Sequence, residues 1–300
     1  MVKLRQPGST RKHYSLTYLL LTNLVVCSLT IILCREDTPQ YVLPTTSTSA
    51  FDTVTKDWHN LAKANPKATI TDKPRSPKPF TLEEWGKSGT MTQGGLHAKD
   101  RLKVAEVYGK ANSLFEWGLG ESTSIASYME VPRYAGVDSD PRYVATARDE
   151  AKKWFRFSYA DIGDSGNWGR PNDKTQKKIY YNYVWAPLLA ELEAFDVYMV
   201  DGRMRPICAL AAFLHASKYN KYDSLVLMHD MYDPVFSKDC PDCHTDKGKA
   251  RKDYHRIKEV ADAVDHSGAE IFVFRRKKDV TDEQILSLYN ELVVSKRVLK

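Results

Sequence analysis

Short apolar runs alternate with longer stretches of helical spacing over the last two thirds of this 300-residue chain. Ser113–Phe115 runs into Glu116. YAGV, from Tyr134, leads to Asp138, and Phe155 to Asp161 forms a third run ending in an acid. Val197–Val200 precedes Asp201, Leu225–Met228 precedes the His229–Asp230 pair, and Ile271–Phe274 follows later. Runs this short and this uniformly apolar predict strands buried on both faces. Between them, Leu96 to Gly109 has helical spacing, with Leu102, Ala105 and Tyr108 on one face and Gly109 as a stop. Asp140 and Pro141 suit the cap and first turn of a helix carrying Val144, Ala147, Ala151 and Trp154. Pro206 to Ala216 is apolar all round, the mark of a helix buried against a sheet. The alternation predicts an α/β fold built on a doubly wound, mainly parallel sheet.

The amino-terminal part follows a different pattern. From Tyr14 to Cys34 no charged residue interrupts 21 positions, enough to cross a bilayer as a helix. Lys3, Arg5, Arg11 and Lys12 precede the run, and Arg35, Glu36 and Asp37 follow it. The basic excess predicts a cytoplasmic tail over 1–13, a signal anchor over 14–34 and a lumenal body. A cleaved signal peptide normally has a shorter apolar region and an A-x-A-like site, which this segment lacks. Residues 35–79 carry prolines at 39, 44, 66, 74, 77 and 79 and a TTSTS run, the composition of a stem. The globular body is then 80–300. An anchor, a stem and a globular body form the layout of many Golgi enzymes, so Golgi or ER membranes are the expected location.

The chemistry concentrates where the strands end. In SLFEWGLGES, Gly118 and Gly120 allow a tight turn with close backbone approach to a ligand, and Ser122, Thr123 and Ser124 can cap the next helix. Asp138 lies 20 residues beyond Gly118, the place for an acid that holds a ribose hydroxyl pair. A dinucleotide fingerprint asks for Gly or Ala where Thr123 stands. The ExGxGxS pattern instead resembles the first motif of Rossmann-like S-adenosylmethionine methyltransferases, over about Leu96 to Arg275. The resemblance implies S-adenosylmethionine as cofactor, held by Glu116, Gly118, Gly120, Ser122 and Asp138, with Asp161 near the adenine. Any one of these acids could also be a turn former or cap, and Asp140 has capping work.

Asp201, His229 and Asp230 are the catalytic candidates. VDGR and MHDM are similar to the segments where cation-dependent O-methyltransferases place metal-binding carboxylates. That likeness implies a magnesium or manganese ion on Asp201 and Asp230, which would lower the pKa of an acceptor hydroxyl. His229 departs from the pattern, and a general base is its other reading. ADIGDSGNWGRP and VDGRMRPICALAAFL also resemble blocks of uncharacterised methyltransferase-like proteins. The segment from Ile162 to Pro187 gathers Trp168, Tyr180, Tyr181 and Trp185, either a platform for a sugar or aromatic acceptor or the cover of a sheet edge. Arg203 and Arg205 could clamp an acidic substrate or pair with the strand-end acids.

Hydrophobic content of 42% supports a real core, and a net charge of +6 without a long basic face argues against nucleic-acid binding. Of five cysteines, Cys27 and Cys34 fall in the apolar span, Cys208 in the apolar helix, and Cys240 and Cys243 suit a local disulfide. The sequence thus points to a membrane-anchored O-methyltransferase acting on a carbohydrate or small molecule. A non-catalytic tethered binding module and an NAD-dependent sugar oxidoreductase are the alternatives.

Overall fold

The computed structural model describes residues 78–87, 95–163, 181–231 and 252–294. The anchor at 14–34, nearly all of the stem, Trp168, Tyr180 and the Cys240–Cys243 pair lie outside them. Among the described residues no helix is long and apolar enough to cross a membrane.

Seven strands form one sheet in the order β3-β2-β1-β4-β5-β7-β6. They are β1 (Ser113–Trp117), β2 (Arg133–Asp138), β3 (Arg156–Tyr159), β4 (Val197–Val200), β5 (Leu225–Met228), β6 (Ala261–Asp265) and β7 (Phe272–Arg276). The first five are parallel to one another, whereas β7 runs antiparallel to both β5 and β6. The five parallel strands meet the sequence expectation closely. Strand β6 was not anticipated, because ADAVD is half polar, as suits an edge strand with alternating exposure.

Eight α-helices are described, besides a π-helical turn (Tyr181–Trp185) and a 3₁₀ turn (Arg256–Glu259): α1 (Leu82–Lys87), α2 (Ala98–Lys110), α3 (Glu121–Tyr128), α4 (Pro141–Glu150), α5 (Ala186–Leu189), α6 (Arg205–Lys218), α7 (Lys252–His255) and α8 (Asp282–Val294). Side chains alternate across β1. Phe115 and Trp117 join α6 and α8 in a core on one face, while Leu114 joins α2, α3 and α4 on the other. Helix α6 is buried nearly all round, as its composition predicts.

Two helices differ from expectation. The buried stripe of α2 is Val104, Ala105 and Tyr108, and Leu102 faces solvent because it lies about 200° round the helix from Val104. Helix α4 stops at Glu150, and the Lys152 amide donates to Ser127 Oγ at 3.0 Å. Trp154 is therefore beyond the helix and largely exposed, its indole N–H donating to the Val131 carbonyl.

Two long-range devices bring the carboxyl ends of the strands into place. Gly118 adopts φ +88°, and a Cβ there would lie 2.5 Å from the Gly202 backbone, so the turns after β1 and β4 touch with no room for a side chain. Asp100, fully buried in the first turn of α2, accepts from the backbone amides of Ala269, Glu270 and Ile271 and so fixes the entry to β7. Asp100→Ala strands these donors. We expect a loss of about 3 kcal/mol or more, read as a lower urea midpoint.

Candidate active site

The glycine turn leaves β1 and enters α3, and the space where Gly120 would carry a Cβ is open. Asp138 stands beside it at the tip of β2. One of its oxygens accepts from the Leu119 amide at 2.7 Å, and the other from the Asp140 amide at 2.8 Å. Burial pushes its pKa up to about 6 against the pull of these donors. A carboxylate has about four lone-pair sites, so it keeps capacity for a further donor, such as a hydroxyl. Asp140 caps α4 through the Arg142 amide, as expected.

Glu116 sits one register step before the strand end, on the face covered by α2 and α3, and is fully buried. Ser122 Oγ and Tyr134 Oη donate to it in short contacts, and Thr123 Oγ1 donates at 2.8 Å. The Gly120 amide donates in turn to Thr123 Oγ1. Ser122 and Glu116, both expected at the cofactor, are thus engaged with each other beneath the turn. Burial raises the Glu116 pKa to about 7, despite the three hydroxyl donors. Asp161 lies two residues beyond β3, exposed, and its carboxylate accepts from the Gly163 amide.

Beyond β4 and β5 the charges converge. Asp201 Oδ1 lies 2.8 Å from His229 Nδ1 and 3.0 Å from Arg205 Nη2. Arg205 Nη1 also reaches Asp230 Oδ2 at 2.7 Å, and the guanidinium donates to the carbonyls of Asp201, Gly202 and His229. The guanidinium therefore pairs with both carboxylates expected to hold a cation, a fixed positive charge where the ion was to sit. Burial alone would raise the Asp201 pKa, but His229 and Arg205 overcome it and hold the carboxyl below its usual range. Burial likewise opposes charge on His229, yet Asp201 and Asp230 raise its pKa above the ordinary imidazole value.

Glu270 completes this group, with Oε2 at 3.5 Å from His229 Nε2 and Oε1 at 3.9 Å from His97 Nε2. Neither Glu270 nor His97 was anticipated. Glu270 precedes an apolar strand, and only the antiparallel direction of β7 brings a strand's start to the edge where the other strands end. His97 is the residue before α2, with nothing in its local sequence to mark it. His229 Nε2 is buried, so at this edge the partly exposed Asp230 and Glu270 lie nearer to solvent than the imidazole.

Of the aromatic platform only Tyr181 and Trp185 are described, both half-buried, with Trp185 packed against the core and Tyr183, outside the expected set, beside them. Tyr183 is buried, accepting from the Arg203 amide at its hydroxyl and from Trp117 Nε1 at its carbonyl. Trp185 Nε1 donates to Tyr289 Oη. Here the sheet-covering reading describes them better than an open surface. Cys208 is buried in α6 as expected, its thiol directed to the Arg203 carbonyl.

No family model and no curated protein sequence matches the chain. Among solved structures, a methyltransferase-like protein from Silicibacter pomeroyi is similar over 68% of this chain and 98% of its own, with 19% identity and a TM-score of 0.51. A Bacillus cereus O-methyltransferase in complex with SAH aligns over 79% of this chain and 96% of its own at 15% identity, with a TM-score of 0.35. SAH-bound PaMTH1 of Podospora anserina aligns over 78% and 99% at 15% identity, with a TM-score of 0.37. The first of these likenesses shows that the described body has a methyltransferase-like, Rossmann-like fold.

Glu116 provides a pH test of the turn. Its folded pKa of about 7 exceeds the ordinary 4.5, so the folded state retains the proton longer. Its contribution is complete below pH 4.5 and is lost as pH rises through about 7. Glu116→Gln removes this titration, and the stability difference between wild type and variant should shift by roughly 2–3 kcal/mol between pH 4.5 and 8. Urea unfolding at both pH values reads it, and an unchanged difference would refute the neutral carboxyl.

Proposed function

We propose that this protein is a membrane-anchored, S-adenosylmethionine-dependent methyltransferase acting on an oxygen of a carbohydrate or small-molecule acceptor. One arrangement carries the reading: open space at Gly120 beside the Asp138 carboxylate, with the Asp201–His229 pair beyond the neighbouring strand. Ligands of open α/β sheets bind at this edge, where the strand order reverses between β1 and β4. The methyltransferase-like fold adds support.

When bound, S-adenosylmethionine supplies a methyl group activated on a sulfonium centre. Asp138 would accept from the ribose hydroxyls with its remaining lone pairs, and the Gly118–Gly120 turn would pass beneath the amino-acid end. Glu116 would act through the turn, stiffening it by way of Ser122 and Thr123. Asp161, exposed past β3, would reach the adenine side. Alignment of acceptor and methyl group provides most of the rate in such a displacement, aided by removal of the acceptor proton. We assign that proton to the Asp201–His229–Asp230 group, with Asp201 orienting the imidazole. Thr123 argues against NAD, since its hydroxyl is built into the Glu116 and Gly120 contacts of the turn. The 21-residue uncharged run and its basic flank support a single-pass anchor with the body in the lumen of the ER or Golgi.

Calorimetry on the full-length protein tests the cofactor. S-adenosylmethionine or SAH should bind at micromolar levels, and Asp138→Ala and Gly120→Leu should each weaken binding at least tenfold, about 1.4 kcal/mol. Gly120→Leu fills open space, so a lost signal with an unchanged urea midpoint assigns the loss to the ligand. Binding of NAD in place of S-adenosylmethionine by the folded wild type would overturn the reading.

For the anchor, the protein should resist carbonate extraction from microsomes, and a carboxyl-terminal tag should be protease-protected until detergent is added. A shortened, soluble product would instead identify residues 14–34 as a cleaved signal.

A further inference from the structure

We propose that His229, Asp230 and Glu270 form a site for a divalent first-row transition ion such as Mn²⁺ or Zn²⁺. This deepens the proposed function by placing an ion beside the acceptor, where it would lower the acceptor pKa in place of proton removal by the imidazole; it shares Asp230 with the pair that Arg205 engages and replaces Asp201 by His229 and Glu270. The three side chains each offer one ligand atom, all within 4.8 Å of one another. Ligand bonds of about 2.1 Å to one ion put neighbouring donors about 3.4 Å apart, which the His229–Glu270 pair at 3.5 Å already meets, and the Asp230 side chain would close on them.

Acid clusters are common without ions, and the imidazole is what distinguishes this one. A carboxylate only accepts, so in the 2.8 Å contact His229 Nδ1 carries the hydrogen and Asp201 Oδ1 receives it. In the neutral ring Nε2 then presents a lone pair. The imidazole side chain is 7% exposed, and Nε2 is buried without a hydrogen-bond partner, facing Glu270 Oε2 at 3.5 Å. A lone pair aimed at a carboxylate is repulsive unless a positive centre lies between them. Metal-binding histidines have this arrangement: the second ring nitrogen donates to a carboxylate, which sets the tautomer and makes the ligating nitrogen more basic.

The backbone around the site is held in advance. Glu270 donates its amide to Asp100 and accepts at its carbonyl from the Met231 amide. Asp230 sits at φ +59°, a region that residues with side chains rarely adopt and that recurs at ligand clamps. The carboxylates of Asp201, Asp230 and Glu270 meet one guanidinium, that of Arg205, so a positive centre at His229 Nε2, whether metal ion or proton, balances the remaining charge. One imidazole with two carboxylates suits Mn²⁺ or Zn²⁺ better than Mg²⁺, which favours an all-oxygen shell.

The test reads ion binding directly, with no S-adenosylmethionine and no turnover, so it can fail while the methyltransferase reading survives, and the reverse. Full-length protein is stripped with chelator and titrated with Mn²⁺, following the free-ion signal by electron paramagnetic resonance. One equivalent should bind at micromolar levels. Glu270→Gln, which keeps its backbone contacts, and His229→Ala should each weaken binding at least tenfold. In nitrogen-15 spectra Zn²⁺ should move Nε2 of His229 and leave Nδ1 protonated. The proposal is overturned if wild type binds no ion. It is equally overturned if Glu270→Gln binds as wild type while Asp201→Asn does not, which puts the ion between Asp201 and Asp230. An imidazole protonated on both nitrogens that Zn²⁺ fails to alter would also reject it, since a proton then fills the gap.

Discussion

Arg205 enters from the first turn of α6 with its guanidinium buried between the tips of β4 and β5, where it pairs with Asp201 and Asp230 and donates to three carbonyls. A buried charge with every donor directed is stable only as a set, and removal of one partner from such a set typically costs about 3–5 kcal/mol. Arg205 therefore does more than neutralise acids. It fixes the carbonyls of residues 201, 202 and 229 relative to one another, and with them the close approach of Gly202 to Gly118. The geometry of the glycine turn and that of the His229 imidazole depend on the same cation.

The charges on the two sides of β1 and β4 are coupled through this arrangement. Glu116 lies beneath the glycine turn on the α2–α3 face, yet the Asp201 charge adds to the burial that raises its pKa. Negative charge on Asp201 accordingly favours the proton on Glu116. The low polarity that raises the Glu116 pKa also strengthens the attraction of Asp201 for Arg205 and His229. One acid serves as a hydrogen-bonded strut and the other as a permanent anion, although both are acids at the ends of neighbouring strands.

Those roles mark the limit of what was legible in the chain. The parallel strands could be read because a strand buried on both faces leaves an uninterrupted apolar run, and the acids at their tips followed from the edge rule for open sheets. Side-chain direction could not be read as easily. Alternation along β1 places Glu116 on the helix-covered face, which makes it a support for the turn, whereas Asp138 ends its strand and reaches the opening. The pairing of Asp201 and Asp230 with Arg205 was one of two readings of VDGRMR, and only packing of α6 decides it. Glu270 escaped because period and composition carry no sign of strand direction, and its place at the functional edge follows from β7 running backwards. Leu102 was misplaced for a simpler reason: a three-residue step drifts round the helix, and the buried stripe follows the 3.6-residue period.

The position of β7 also bears on how this protein emerges during synthesis. Strand β5 pairs on one side with β4, but its other partner is β7, the last strand among the described residues, with β6 outside it. A nascent chain that has produced β1 to β5 would expose the open, wholly apolar edge of LVLM until residues 272–276 arrive, a span in which pairing with another chain competes with self-closure. The same arrival delivers Glu270. Sealing of the sheet and completion of the acidic group beside His229 are thus one event, and an arrested chain ending before residue 270 would carry an open sheet edge and an incomplete acidic group.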